Sequence, residues 1–311
     1  MSGLPHESVR HQLAARVIWF PTHIHNRPLI VCLCIYLGVG SLDAFLDDEL
    51  SRGRAHFDKR QAMKATGQSS AAFTAAASRL LRKHRLLSPK RSFYLIIRPE
   101  DRAAGAPDPA RWIDPLMRHL NVDYRISLLR AATFHGSSHQ AALVFQVIVP
   151  KQMRPIFAGR QRIQFVYQAP DSFARTNREV WLGQLKTDAG FAKVAGIELV
   201  ILDAVRYFHQ AAGLNGAAQI VHDLGGKADP RELAKAAAFY ENSTVRRLGY
   251  LLEHFGHPRQ STALRPFTRA AKSMKLLDPS VKRIAALGAA AAATEAPSWK
   301  LIINAPVEID A

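Results

Sequence analysis

Three helix-capping residues punctuate the stretch from 41 to 84 and constrain the fold more than any other feature of the chain. Ser41 stands directly before LDAFLDDEL, in which Leu42, Phe45, Leu46 and Glu49 recur at helical spacing. Arg52-Gly53-Arg54 closes that segment. Asp58 heads KRQAMKAT, and Gly67 follows it, the residue type that ends helices in a left-handed conformation. Ser69 heads a third run, SAAFTAAASRLLRKH. The pattern predicts three short helices. The second and third are joined by a tight glycine-containing turn, the arrangement of a helix-turn-helix.

The third helix has two distinct faces. Phe73, Ala76, Ala77, Leu80 and His84 fall together on a helical wheel and are expected to pack inward. Ala71, Ala75, Ser78 and Arg82 fall opposite, flanked by Thr74 and Arg79. Small side chains on an outer face let a helix backbone sit deep in a DNA major groove, about 12 Å wide. They suit an Ala-rich helix packed between other helices equally well. The next residues decide between the two. Leu86-Leu87, the basic tip Ser88-Pro89-Lys90-Arg91 and the strand-like Phe93–Ile97 read as a hairpin, placed where a wing would meet backbone phosphates. Residues 41–100 are therefore read as a winged helix-turn-helix DNA-binding domain.

Charge points the same way. The formal net charge is +17 and the pI near 10.3, an excess that concerns partners rather than fold. Between Arg52 and Arg98, twelve Lys and Arg face a single acid, Asp58. A solvated basic surface is the ordinary meaning of such a run. Its coincidence with the three-helix pattern makes duplex DNA the expected partner. The candidate contacts are Lys59, Arg60, Ser70, Thr74, Ser78, Arg79, Arg82, Lys83, Lys90 and Arg91. Among them Ser70, Thr74 and Ser78 suit base-edge readout, and Lys90 and Arg91 suit phosphates. A basic module for RNA or for an acidic protein is the first rival reading, which footprinting on DNA separates; an enzyme of unrecognised type, which would need a cleft of clustered acids or a metal, is the second.

Residues 1–40 stand outside the globular pattern. Residues 29–37 form an unbroken apolar run, shorter than the roughly 18 residues that span a bilayer and similar in length to a signal-peptide core. Export would part a basic protein from nucleic acid, so a later start of translation, near Val39 or Leu42, is the favoured account. The two cysteines, Cys32 and Cys34, are too close to bridge each other comfortably and lack metal-type spacing, which fits the cytoplasm. Asp101–Ala110 (DRAAGAPDPA) reads as a linker.

A mixed α/β domain is expected over residues 111–311, giving an α+β chain overall. Trp112–Leu120 and Tyr124–Phe134 read as helices, Ala142–Val149 and Arg162–Tyr167 as strands. Helices dominate after Glu198. Asp229-Pro230-Arg231-Glu232 reads as a capping box, Ser243 as a further cap before Val245, Leu248, Leu252 and Phe255, and Ala289–Ala293 as a link. Trp299–Asn304 and Val307–Ile309 read as a closing strand pair. Lys151, Arg154, Arg160 and Arg162 are candidates for further phosphate contacts.

No catalytic signature emerges. His135-Gly136-Ser137-Ser138-His139 has no acid at ligand spacing, so no metal is expected. His135 reads as a helix end. A nucleotidyltransferase follows Gly-Ser with paired acids on a strand to hold Mg²⁺, whereas ALVFQVIV carries none. Leu224-Gly225-Gly226 lacks the rest of a phosphate loop. No cofactor and no enzyme activity are expected.

In order, LDAFLDDELSRGRAHFDKRQAMKATGQSSAAFTAAASRLLRKHRLL, YRISLLRAATFHGSSHQ, IELVILDAV with the later HDLGG, VRRLGYLLEHFG and WKLIINAPVEID resemble the AbiEi-like antitoxins of type IV toxin–antitoxin systems. The resemblance covers about residues 41–311 and rests on the order of the segments. It implies an N-terminal winged helix and autorepression of a two-gene operon on double-stranded operator DNA, with possible self-association there. It further implies a functional partner, a nucleotidyltransferase-like toxin, that the antitoxin counters without stable direct binding, and no membrane association. Residues 1–40 have no place in the family pattern. The hairpin SPKRSFYLI departs from it by lacking a glycine before its aromatic.

Overall fold

A computed structural model of the chain describes residues 40–137, 144–187, 189–281 and 294–309. Apart from Gly40, the leader with its cysteines lies outside the described residues, as do Ser138, His139 and Ala289–Ala293. The chain is α+β. Among the described residues, no helix is long and apolar enough to cross a membrane.

The first helices form where their caps predict. Ser41 accepts the Ala44 amide at 3.1 Å and opens α1 (Leu42–Ser51). Asp58 accepts the Gln61 amide at 2.8 Å and opens α2 (Lys59–Thr66), which Gly67 closes at φ +68°. Ser69 accepts the Ala72 amide and opens α3 (Ser70–Arg82). A three-stranded antiparallel sheet accompanies them, in the order β1 (His56–Asp58), β3 (Phe93–Ile96), β2 (Leu86–Lys90). Leu42, Phe45, Leu46, Phe57, Phe73, Ala77, Leu80, Leu86 and Ile96 build one core. His84 is a correction. The expected inward face ends at Leu80, and His84 is exposed beyond the helix at φ +52°.

The hairpin solves its missing glycine with strain. Ser92 sits at φ +64°, the left-handed position a glycine would take. Ser92→Gly is therefore expected to raise stability by about 0.5–1 kcal/mol, read as a shift of the urea midpoint at unchanged slope. A lower midpoint would show that the serine side chain does more than tolerate the turn.

The stretch expected as a linker is packed. Between 3₁₀ turns at Pro99–Asp101 and Pro109–Arg111, Ala106 and Ala110 are buried in the second core. Gly105 and Gly159 meet there so closely that a Cβ on Gly159 would fall 2.2 Å from the Ala104 carbonyl oxygen. Strand β3 serves both cores, with Ile96 on the first and Phe93 and Leu95 on the second. Val39–Ala311 accordingly forms one compact unit.

The second core lies around a six-stranded mixed sheet. α4 (Ile113–Leu120) precedes β4 (Arg125–Ile126), α5 (Leu128–Phe134), β5 (Val144–Val149), β6 (Ile156–Ala158) and β7 (Gln161–Tyr167). α6 (Pro170–Thr176), β8 (Leu182–Thr187) and β9 (Gly190–Ala195) follow. The strand order is β6-β7-β5-β4-β9-β8, with β5/β7 and β4/β9 parallel. Then come α7 (Ile197–Arg206), α8 (Gly213–Leu224), α9 (Pro230–Ala237), α10 (Asn242–His254), α11 (Pro258–Leu264) and α12 (Pro266–Arg269). β10 (Lys275–Leu276), β11 (Thr294–Ala296) and β12 (Leu301–Ile303) make a small sheet with β12 central.

Four sequence expectations are corrected here. Tyr124–Ile126 is not the start of a helix: its apolar pattern runs on into α5, but β5 and β9 claim Ile126 from either side. Ser243 lies inside α10, whose N-cap is Glu241. Asp229 does accept the Arg231 and Glu232 amides, but the capping box is not reciprocal. Glu232 turns to Lys235 and Trp181 instead, and the Asp229 amide donates to Glu198. In the tail β12 pairs with β10 and β11, while Val307–Ile309 forms no strand.

Candidate nucleic-acid interface

The exposed stripe of α3 is what its spacing predicts. Ser70, Ala71, Thr74, Ala75, Ser78, Arg79 and Arg82 are all exposed, and Lys83 caps the C-terminal end. Because the inward face carries only Phe73, Ala76, Ala77 and Leu80, the helix is held from one side and free on the other.

Lys59 joins this stripe to α2 and to the hairpin. Its ammonium donates to Ser70 Oγ at 2.8 Å and to Thr74 Oγ1 at 3.5 Å, and lies 5.6 Å from the centre of the Phe73 ring. Its backbone amide donates to the Ser92 carbonyl at 2.9 Å. The N-terminal ends of α2 and α3 and the hairpin tip are thereby one locality, with Arg60 exposed beside them. At the tip, Ser88 Oγ donates to the Lys90 and Phe93 carbonyls across the irregular register between Leu87 and Lys90. The Arg91 carbonyl accepts from His119 Nε2 of α4 at 3.1 Å, so the hairpin is tied from behind by the second core. Burial pushes the Tyr94 hydroxyl up and the His56 imidazole down, which keeps both neutral near pH 7 under this surface.

The basic count of the sequence divides into two sets. Arg52 pairs with Asp48, Arg54 with buried Glu49, and Arg85 with Asp43 and Asp47. These acids belong to α1, just outside the basic window, and they neutralise the arginines nearest them. Arg98 stands 3.9 Å from Glu100. Among the described residues, Lys59, Arg60, Lys64, Arg79, Arg82, Lys83, Lys90 and Arg91 make no ion pair with an acid. The unneutralised cations are thus those on α2, on α3 and at the hairpin tip. The sequence count missed this division, although LDDEL lay in plain view. It also missed the Lys59–Ser70–Thr74 contact, which no short-range pattern announces.

Of the second-domain candidates, Lys151, Arg154, Arg160 and Arg162 are exposed. They lie on the β5–β6 connection and the β6–β7 hairpin, and β6 lies beside β2. The Arg162 guanidinium stands 5.8 Å from the ring centre of Phe157, itself 67% exposed. His135 is the C-cap of α5, and its Nε2 donates to the Ala195 carbonyl at 2.7 Å. Ser137 donates to Asp223 at 2.6 Å. The Gly136-Ser137 pair therefore ends a helix.

Residues 125–254 match the family described as AbiEi antitoxin C-terminal domain, and that match supports an AbiEi-type antitoxin. No curated protein matches the chain. The RV2827C protein from Mycobacterium tuberculosis is a similar solved structure: 15% identity, TM-score 0.58, with 85% of this chain and 94% of that chain covered. At that identity the likeness is one of fold.

Proposed function

We propose that this chain, an AbiEi-type antitoxin by the match over residues 125–254, is the DNA-binding autorepressor of a type IV toxin–antitoxin operon, gripping its operator through a winged helix-turn-helix at residues 41–100. The observation that carries the DNA reading is the division of charge. Cations without acid partners gather on α2, α3 and the hairpin tip, around a helix face of Ala and Ser. In this reading α3 enters the major groove, its small residues allowing close approach and Arg79 and Arg82 reaching out. The hairpin is the wing, with Lys90 and Arg91 against phosphates. The exposed arginines of the β6–β7 hairpin extend the phosphate track, and two subunits associate on the operator. The functional partner is a nucleotidyltransferase-like toxin, opposed in the cytoplasm without a stable complex. The chain itself carries out no catalytic step.

Phosphate contacts leave a particular signature. Each one lost flattens the log–log dependence of affinity on salt by about 0.9. Replacing Lys90 and Arg91 together by Ala is expected to reduce that slope by about 2 and to weaken operator and scrambled duplex alike. Titrations at several salt concentrations measure both. An unchanged slope would remove the hairpin from the interface.

A further inference from the structure

We propose that Lys59, acting with Ser70, fixes one base pair of the operator as G·C: the free donor of its ammonium and the Ser70 hydroxyl together meet guanine O6 and N7 in the major groove. The proposal rests on the DNA reading above and goes beyond it by assigning a base to a residue that precedes the recognition helix in the chain.

An ammonium has three donors and no acceptor. Lys59 spends two of them, on Ser70 Oγ and, at longer range, on Thr74 Oγ1. One remains, and both partners stand on the exposed stripe of α3, so the group is held against the surface that faces DNA. Ser70 Oγ accepts from Lys59, which leaves its own proton to be donated outward. Thr74 cannot offer a proton there, because its hydroxyl donates to the Ser70 carbonyl at 2.7 Å. The cluster can therefore present two donors side by side, the ammonium and the Ser70 hydroxyl, and accepting from a cation makes that hydroxyl a better donor than acceptor.

Guanine answers that pattern best. Guanine shows two adjacent acceptors in the major groove, O6 and N7. Adenine pairs its N7 with an N6 donor, cytosine shows a donor, and thymine shows one acceptor beside a methyl group. Two neighbouring donors thus match guanine and leave an unsatisfied or opposed group with each of the others.

Preorganisation strengthens the case. A free lysine loses considerable side-chain freedom when it is immobilised at an interface. Here the ammonium lies over the Phe73 ring and is anchored twice, so much of that ordering is already in place before DNA arrives. A lysine that only meets phosphate needs no such anchoring. Arg60, the next residue, is exposed.

The test is selection of binding sites from a fully randomised duplex library by the full-length chain, followed by titration on the selected duplex and its single-base variants. The wild type is expected to select an invariant G at one position, with a loss of tenfold to a hundredfold, in order of magnitude, for any other base there. Lys59→Met keeps an unbranched chain of similar length and removes the donors. It should lose the preference at that position alone, retain the rest of the selected site and melt at the wild-type temperature. Lys59→Arg restores donors and should restore the G. Ser70→Ala should relax the same position. A Lys59→Met protein that selects the wild-type site, with affinity lowered equally on every duplex, would make Lys59 a phosphate clamp and overturn the proposal. A Lys59→Met protein that fails to fold shifts the decision to Ser70→Ala and Lys59→Arg, and unchanged preference in Ser70→Ala with loss of it in Lys59→Arg overturns the proposal too. If the wild type selects no sequence at all, the DNA reading fails with it, an outcome distinct from selection of a site without a Lys59-dependent G.

Discussion

Asp203→Ala is expected to destabilise the second core by about 3–5 kcal/mol out of a typical total of roughly 5–15. Asp203 of α7 and Arg125 of β4 are both wholly buried. The guanidinium meets the carboxylate through two bonds, Nε to Oδ2 at 3.1 Å and Nη2 to Oδ1 at 3.0 Å. Further partners take up most of the remaining capacity of the pair. Gln168 and Thr176 accept from Arg125, Ser127 and Tyr240 donate to Asp203, and Phe173 stacks at 5.5 Å from the guanidinium carbon. Burial and the Asp203 charge push the Tyr240 hydroxyl well above its ordinary value, so it stays a donor. One ion pair thus joins β4, α6, α7 and the residues following β7 and α9. Removing the carboxylate leaves a guanidinium that cannot shed its proton in an apolar surround. Arg125→Met is expected to cost less, because Ser127 and Tyr240 still donate to Asp203. The double variant Arg125→Met/Asp203→Leu should recover part of the loss by removing both charges, yet stay below the wild type because those hydroxyls lose their acceptor. Urea denaturation of the four proteins closes the cycle. A double variant less stable than Asp203→Ala would show that the pair acts mainly as packing volume.

That network also marks where sequence reading stops. The caps Ser41, Asp58 and Ser69 each satisfy an amide three residues onward, so the three helices they open were legible from a few letters at a time. The outer stripe of α3 followed from periodicity within one helix. Arg125 and Asp203 are 78 residues apart, and neither stands out locally: one sits in YRISLL, the other in an apolar helix. Strand β4 failed for a related reason. Two residues long, it exists because β5 and β9 lie on either side, whereas its own letters continue the pattern of α5. Strand β1 went unread as well, since its partners around Leu95 come nearly forty residues later. The charge division was a different kind of miss. Its residues were adjacent in the chain, but counting a window that began at Arg52 cut the arginines off from the acids of α1 that neutralise them. The contact of Lys59 with Ser70 and Thr74 needed the packing of α2 on α3 before it could be seen.

Ala75→Glu is expected to weaken operator binding by on the order of a hundredfold or more while leaving the fold intact. Ala75 is exposed at the centre of the stripe formed by Ala71, Ala75, Ser78 and Arg82. Nothing in the core depends on its methyl group. Glutamate is a good helix former, so the propensity cost is a few tenths of a kcal/mol. A carboxylate at 75 also stands four residues before Arg79, where an ion pair on the helix surface offsets about that much. Thermal melting should therefore stay within a degree or two of the wild type. In the complex the same carboxylate would lie between a helix face built for close approach and the electronegative groove. Like charges brought together at an interface cost several kcal/mol, and pairing with Arg79 would withdraw a cation from DNA as well. Ala75→Lys separates charge from bulk. Its side chain is as obtrusive, but its charge suits phosphates, so affinity for scrambled duplex should hold or rise while the preference for operator falls. If Ala75→Glu instead binds operator as the wild type does, α3 does not lie in the groove. The hairpin tip and the β6–β7 arginines would then have to supply the whole contact, and those residues meet backbone rather than bases. Binding would survive in that case, but the chain would have no means of choosing its own operator among other duplexes, and repression of one particular operon would need another explanation.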